Sequence, residues 1–177
     1  MYQMPIVRTQ ECIETLGATG AYVSVLWQQP ESLVFVARGR PYRSEFHINP
    51  SDEMMFMLKG EMRLHYRTPE GKEEVAVIPE GAAIHTPGGI PHSPRFAPDA
   101  YALIQERARR DGENDKFQWY CPECDHLLHE ETFNVADYSK DPVSQAYRNF
   151  FHSESHRTCK HCGHVMPNAL AEDPPQD

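Results

Sequence analysis

Five stretches of the chain gather apolar residues into runs too short for helices: AYVSVLW (21–27), LVFVAR (33–38), MMFML (54–58), MRLHYR (62–67) and EVAVIP (74–79). They are rich in Val, Phe and Tyr and separated by turn-formers, which is the signature of strands. The segment TPEGKE (68–73) between the last two predicts a hairpin turn, with Gly71 free to take a positive φ. Many short strands at close spacing, with no helical period between them, predict a sandwich or barrel over the first two thirds of the chain. Residues 107–116, RARRDGENDK, are charged and turn-rich and read as a linker. Beyond them the period changes to 3.6 in DPVSQAYRNFFHS, where Val143, Ala146, Tyr147, Phe150 and Phe151 share a face. With Asp141 as N-cap and Pro142 at the first helical position, a helix is expected over about 142–151. The expected division is a barrel over 1–110 and a small helical segment over 111–177, ending in a disordered tail, AEDPPQD.

At 177 residues the chain has room for one domain and a small appendage. Its net charge of -9, from 17 basic and 26 acidic residues, argues against nucleic acid or an anionic membrane as partner, because both need concentrated positive charge. Small molecules are the expected partners. No apolar run approaches the roughly 18 to 20 residues of a membrane span, and the opening MYQMPIVRTQ lacks the pattern of a signal peptide, so a cytoplasmic protein is expected. The oligomeric state is left open, a homodimer included.

Four of the five cysteines form two CxxC pairs, CPEC (Cys121, Cys124) and CKHC (Cys159, Cys162), separated by 34 residues that contain the expected helix. Four thiolates on two such turns make a tetrahedral all-sulfur site suited to zinc or a single iron. A thioredoxin-type redox pair fits less well, since there are two pairs and no βαβ context. Saturated by four thiolates, the site offers no open position and is expected to tether the C-terminal segment. Cys12 is left over as a plain thiol.

The stretch HINPSDE frames a second constellation. His47 and Glu53 are six residues apart and on a regular strand would lie about 20 Å from each other, so Asn49-Pro50-Ser51-Asp52 has to bend the chain to bring them together. Downstream, Gly81, Pro87, Gly89 and His92 follow one another at the spacing G(x)5PxG(x)2H. Together the two stretches resemble the paired motifs of the cupin superfamily, with His47, Glu53, Gly60 and His92 at motif positions. Asn49, Pro41 and Phe96 stand where the motifs would have a histidine, a glycine and an asparagine. The resemblance implies a double-stranded β-helix, or jelly-roll barrel, holding a metal on two imidazoles and one carboxylate, a set that leaves open positions on iron. The remaining histidines have no such frame and read as structural or surface residues.

Further residues narrow the family. RSEFH (43–47), Glu53, PHSPRF (91–96), QER (105–107), FQWYCPEC (117–124), FFHSES (150–155) and CKHCG (159–163) resemble the bacterial 3-hydroxyanthranilate 3,4-dioxygenase family. That resemblance implies an extradiol ring-cleaving enzyme with catalytic Fe(II) on His47, Glu53 and His92. It implies a rubredoxin-like site, holding iron or zinc, on Cys121, Cys124, Cys159 and Cys162. It places Arg43, Arg95 and Glu106 around the substrate, with Glu106 also assisting proton transfer. The implied reaction opens 3-hydroxyanthranilate with both atoms of O2 to a 2-amino-3-carboxymuconate semialdehyde. The family carries its arginine four residues after the histidine, whereas Arg95 is three after His92; on a strand such a shift turns a side chain to the other face. Glu106 has a plainer alternative, a salt bridge to Arg107 or Arg109. For the whole chain the alternatives are a related dioxygenase acting on another ortho-aminophenol or catechol, a thiol dioxygenase, and a non-catalytic ligand-binding cupin.

Overall fold

A computed structural model describes residues 4–135 and 142–169. The five expected strands are present, as β1 (Val23–Gln29), β2 (Ser32–Arg38), β4 (Glu53–Lys59), β5 (Met62–Arg67) and β6 (Glu73–Ile78). Between β5 and β6, Gly71 takes φ 80° and its N–H donates to the Thr68 carbonyl at 2.8 Å, closing the expected hairpin turn. The other strands are β3 (Phe46–Ile48), β7 (Ala83–Thr86), β8 (His92–Phe96), β9 (Tyr101–Glu106), β10 (Asp115–Tyr120) and β11 (Leu127–Phe133). They form two antiparallel sheets, a five-stranded one in the order β1-β2-β9-β4-β7 and a six-stranded one in the order β11-β10-β3-β8-β5-β6.

The main core lies between the sheets. Leu33, Phe35, Met55, Met57, Met62, Leu64 and Ile104 are buried there, the inward set of strands whose alternate residues face outward. β2 is apolar on both faces for a reason that its sequence hides. Val36 packs outward with Leu16 and Tyr101 under a helix, α1 (Thr9–Thr19), which was not expected. Only Cys12, Ile13 and Leu16 of α1 face the barrel, too few to mark a helical period, and the helix ends at Gly20 with φ 77°.

One expectation about the C-terminal third needs correction. Residues 107–116 are not a free linker: Arg109 and Asp115 are buried and paired, and Asp115 opens β10. The segment beyond residue 110 adds two strands to its small helices, since β10 pairs with β3 and β11 with β10, extending the barrel sheet. The expected helix is there as α2 (Pro142–Phe151), and a short α3 (Glu154–Arg157) follows it. Ala146, Tyr147, Phe150 and Phe151 bury against Phe117 and Trp119, with Phe150 stacked on Trp119 at 4.4 Å between centroids. Asp141 and the tail AEDPPQD lie outside the described residues. Among the described residues, no helix is long and apolar enough to cross a membrane.

Candidate active site

β3 and β8 are antiparallel, and their register sets His47 directly opposite His92. The chain then turns through residues 49–52 and re-enters the barrel as β4, whose first residue is Glu53. This turn is latched from the side: the Gly89 N–H donates to the Asn49 carbonyl at 2.8 Å and the Gly88 N–H to Asp52 Oδ1 at 3.0 Å. A Cβ at Gly88 would lie 2.8 Å from the Pro50 carbonyl oxygen, so glycine is required for that approach. The expected bend therefore exists, and one ligand atom from each of His47, Glu53 and His92 falls within 4.8 Å of the others.

The donor set suits a metal. His92 Nδ1 lies 2.8 Å from the Ile90 carbonyl, which fixes a proton there and turns Nε2 toward the cluster. That buried Nε2 lies 3.1 Å from Glu53 Oε2 yet has no hydrogen-bond partner of acceptable direction. Two ligand atoms about 2.1 Å from a common ion, at right angles, lie about 3 Å apart. His47 Nε2 rests 2.6 Å from Asp115 Oδ2. Burial works to raise the Glu53 carboxyl, but the facing His92, with His47 and Arg109, holds it below the usual carboxylate range.

A buried polar network supports the cluster. Asn49, which replaces the second motif histidine, donates from Nδ2 to Glu106 Oε2 at 2.9 Å and to Glu53 Oε2 at 3.3 Å. Arg109 bonds Glu106 Oε2 at 2.6 Å and Asp115 Oδ2 at 2.7 Å. The salt bridge weighed for Glu106 thus exists, buried rather than on the rim, while Glu106 still lines the cavity. Arg107 pairs instead with Glu113 at 2.5 Å. Asp115 was missed because charge marked its segment as a linker. A signal was present, since Asp115, Phe117 and Trp119 alternate in DKFQWY on one buried face.

Burial likewise works to raise Asp115, and Arg109, with His47, outweighs it and holds the carboxyl low. Asp115 and Glu53, both lowered in the folded state, contribute stability that is full above the usual carboxylate pKa and lost as pH falls through the lowered values. The metal-free protein is accordingly expected to keep its melting temperature from pH 7 to about 5 and to lose it steeply below about 4, as differential scanning calorimetry would record.

The cluster lies on a cavity of about 710 Å³. Phe35, Phe96, Ile104 and Phe117 form apolar walls, and Arg38, Arg40 and Arg43 also line it. Arg95 does not. Its neighbours Pro94 and Phe96 face the cavity, while Arg95 bonds Ser93 Oγ at 3.2 Å and lies over the ring of Phe46, the residue whose side chain points away from the His47 face. The backbone makes no compensation for the shifted register, and the arginine implied at this wall is replaced by a phenyl ring.

The four cysteines form a second cluster. Sulfur separations of 3.6 Å for Cys121 to Cys162 and 3.5 Å for Cys124 to Cys159 approach the roughly 3.8 Å edge of a tetrahedron of sulfurs about 2.3 Å from a zinc ion. The two turns repeat one backbone pattern: Asp125 N–H donates to the Cys121 carbonyl and Gly163 N–H to that of Cys159, each at 2.9 Å. Both donors have positive φ, 58° for Asp125 and 78° for Gly163. A non-glycine residue tolerates this poorly, but Asp125 also receives a two-pronged bond from Arg67 of β5, at 2.8 and 2.7 Å, joining the turn to the barrel. The backbone N–H of Cys162, with other donors, lowers the Cys159 thiol to about 6, which favours a thiolate.

Two antiparallel sheets thus close on a cavity and set against it a His/Glu/His cluster that could hold a metal ion. Comparison of sequences then places the protein: residues 22–151 match the family described as 3-hydroxyanthranilic acid dioxygenase, and the chain belongs to that family of dioxygenases. It is 38% identical to the 3-hydroxyanthranilate 3,4-dioxygenase of Bacillus thuringiensis (strain Al Hakam) over 148 residues, covering 84% of this chain and 82% of that one. Proteins of the same name from Xanthomonas euvesicatoria pv. vesicatoria (strain 85-10) and Shewanella woodyi (strain ATCC 51908 / MS32) are 35% and 34% identical. Those matches cover 79% and 85% of this chain and 78% of each relative.

Proposed function

We propose that the protein is an Fe(II)-dependent extradiol dioxygenase that opens 3-hydroxyanthranilate with both atoms of O2, giving a 2-amino-3-carboxymuconate semialdehyde. The observation that carries this reading is the His47/Glu53/His92 cluster, Glu53 and His92 buried and His47 half-buried, set against an aromatic-walled cavity with Arg43 at its side. In this reading the three residues hold the catalytic iron, and Cys121, Cys124, Cys159 and Cys162 hold a second iron or a zinc with a structural role. The barrel, residues 1–110, carries the catalytic ligands; the segment 111–177 carries the four-cysteine site and lends Asp115 and Phe117 to the pocket. Iron held by His47, Glu53 and His92 would supply open coordination positions and redox chemistry for the ring and dioxygen. The chain's own groups do the rest. Phe35, Ile104 and Phe117 enclose the ring and exclude water. Arg43 forks the carboxylate, and Asp115 lies against His47 Nε2 at the edge of the cluster. Glu106, held by Asn49 and Arg109, accepts the proton of the substrate's amine or hydroxyl.

The test is oxygen uptake by Fe(II)-loaded protein across aminohydroxybenzoates, 2-aminophenol and catechols. One O2 consumed per ring, with the highest kcat/KM for 3-hydroxyanthranilate, is the expected result; no uptake with any aromatic substrate refutes the reading. A second reading, cleavage of an isomeric aminohydroxybenzoate or another ortho-aminophenol, is favoured by Phe96 occupying the wall from which Arg95 turns away. The two arginines give a further prediction. Arg43→Ala should raise KM for a carboxylated substrate roughly 30- to 150-fold, the equivalent of about 2 to 3 kcal/mol for a charge-assisted contact. Arg95→Ala should leave KM within about twofold, since its guanidinium does not reach the cavity. Equal effects from both would mean that Arg95 swings into the pocket when substrate binds.

A further inference from the structure

The C-terminal helix reaches the substrate cavity through two side chains. Arg43 sits in residues 39–45, between β2 and β3, outside any strand, so no ladder fixes its position. Two contacts from α2 hold that stretch on either side of it. The ring of Phe151 meets Tyr42 edge-on at 6.1 Å, and the Tyr147 hydroxyl donates to Glu45 Oε2. The other oxygen of Glu45 lies 2.8 Å from Arg43 Nε, an ion pair somewhat off the hydrogen-bond line. Glu45 is 1% exposed and Tyr147 6%, whereas the Arg43 side chain is 21% exposed and lines the cavity. Burial, with Glu45 beside it, pushes the Tyr147 phenol well above its usual range, so the hydroxyl stays a donor.

The anchor of α2 is in turn the four-cysteine turn. Arg157, two residues before Cys159, donates to the Phe151 carbonyl at 2.8 Å and to the Met166 carbonyl at 2.6 Å, tying the end of α2 to both flanks of the second CxxC. His156 Nδ1 adds a contact to the Asn149 carbonyl at 3.0 Å. A continuous set of packed and bonded groups thus runs from the cysteine site through α3 and α2 to the guanidinium at the cavity.

We propose that Tyr147 and Glu45 are positioning residues that set Arg43 for the substrate's carboxylate, so that the four-cysteine clasp governs how strongly the enzyme prefers carboxylated rings. The inference rests on the reading of the cavity given above. Its physical content is pre-organisation: the ion pair of Nε with a buried carboxylate restrains the guanidinium before the ligand arrives and leaves its two Nη groups for the ligand. A guanidinium released from Glu45 must be ordered at the moment of binding, and only ligands that use it suffer.

The experiment measures anaerobic dissociation constants of Fe(II)-loaded protein for 3-hydroxyanthranilate and for 2-aminophenol, which lacks the carboxylate. The wild type should favour the former. Tyr147→Phe, which removes one oxygen from a packed helix, and Glu45→Gln should each lower that preference roughly tenfold or more, while 2-aminophenol affinity and iron content stay within about twofold of wild type. An unchanged preference in Tyr147→Phe overturns the proposal, as does equal weakening of both ligands, which would mark general damage to the fold. A wild type without preference for the carboxylate overturns it too. Oxygen uptake with 2-aminophenol would then leave the ring-cleavage reading standing, whereas absence of uptake with both would remove that reading as well.

Discussion

His47→Ala, Glu53→Ala and His92→Ala are each expected to lose the iron proposed for this site and, with it, about 10³-fold or more of ring-cleaving activity. A metal held by three protein groups has none to spare, and here each group contributes something different. Glu53 is the cluster's one negative charge, buried at 5% exposure, and its removal leaves two neutral imidazoles facing a dication. His92 is the proposed ligand whose ring is already oriented by the Ile90 carbonyl, so its loss removes the pre-organised donor. His47 is held by Asp115, and His47→Ala strands that carboxylate against Arg109 alone. Elemental analysis after iron loading, with circular dichroism to confirm the fold, checks the result. Normal iron content and full turnover in any one variant would overturn the ligand assignment.

How much of this could be read beforehand depended on whether the signal was local. β4 and β5 were legible because their alternation is compact and bounded by turns. The bend between His47 and Glu53 was legible because a strand cannot bring residues six apart together. Even the orientation of Arg95 followed from counting: with His92 inward on β8, a residue three further on faces out. β8 as a strand was less visible, as Pro94 lacks the N–H that a ladder residue donates. Beyond the pairing weighed for Glu106, the buried network was hidden for another reason. Arg109, Glu106 and Asp115 are charged residues in a polar stretch, and what makes their burial tolerable is that they meet one another and His47, a residue 68 positions from Asp115. Composition alone assigns such residues to solvent; only the fold's closure shows that their charges are matched. Tyr147 and Glu45, 102 positions apart, escaped notice in the same way.

Cys121→Ser or Cys159→Ser is expected to remove about one equivalent of metal and destabilise the protein by about 4 kcal/mol or more, since a closed four-thiolate site contributes folding free energy directly. For a chain of this size that corresponds to a melting temperature lower by roughly 8 to 16 °C. The damage should start locally. Cys121 and Cys159 are the buried pair of the four, each on a turn whose backbone N–H groups are already directed at sulfur or carbonyl. Without the ion, that turn no longer holds α3 against α2, and Arg157 loses the frame that lets it bond Phe151 and Met166 together. Limited proteolysis should therefore cut around α2 and α3 before the barrel. The ligands proposed for the catalytic iron stand on β3, β4 and β8, all within the sheets, so kcat per remaining iron at that site should change little. KM for a carboxylated substrate should rise, because Tyr147 then holds Glu45 and Arg43 less firmly, and KM for 2-aminophenol should not. A variant whose catalytic iron falls in step with the cysteine-bound metal would show instead that the two sites fold as one unit and that the clasp acts on the iron ligands themselves.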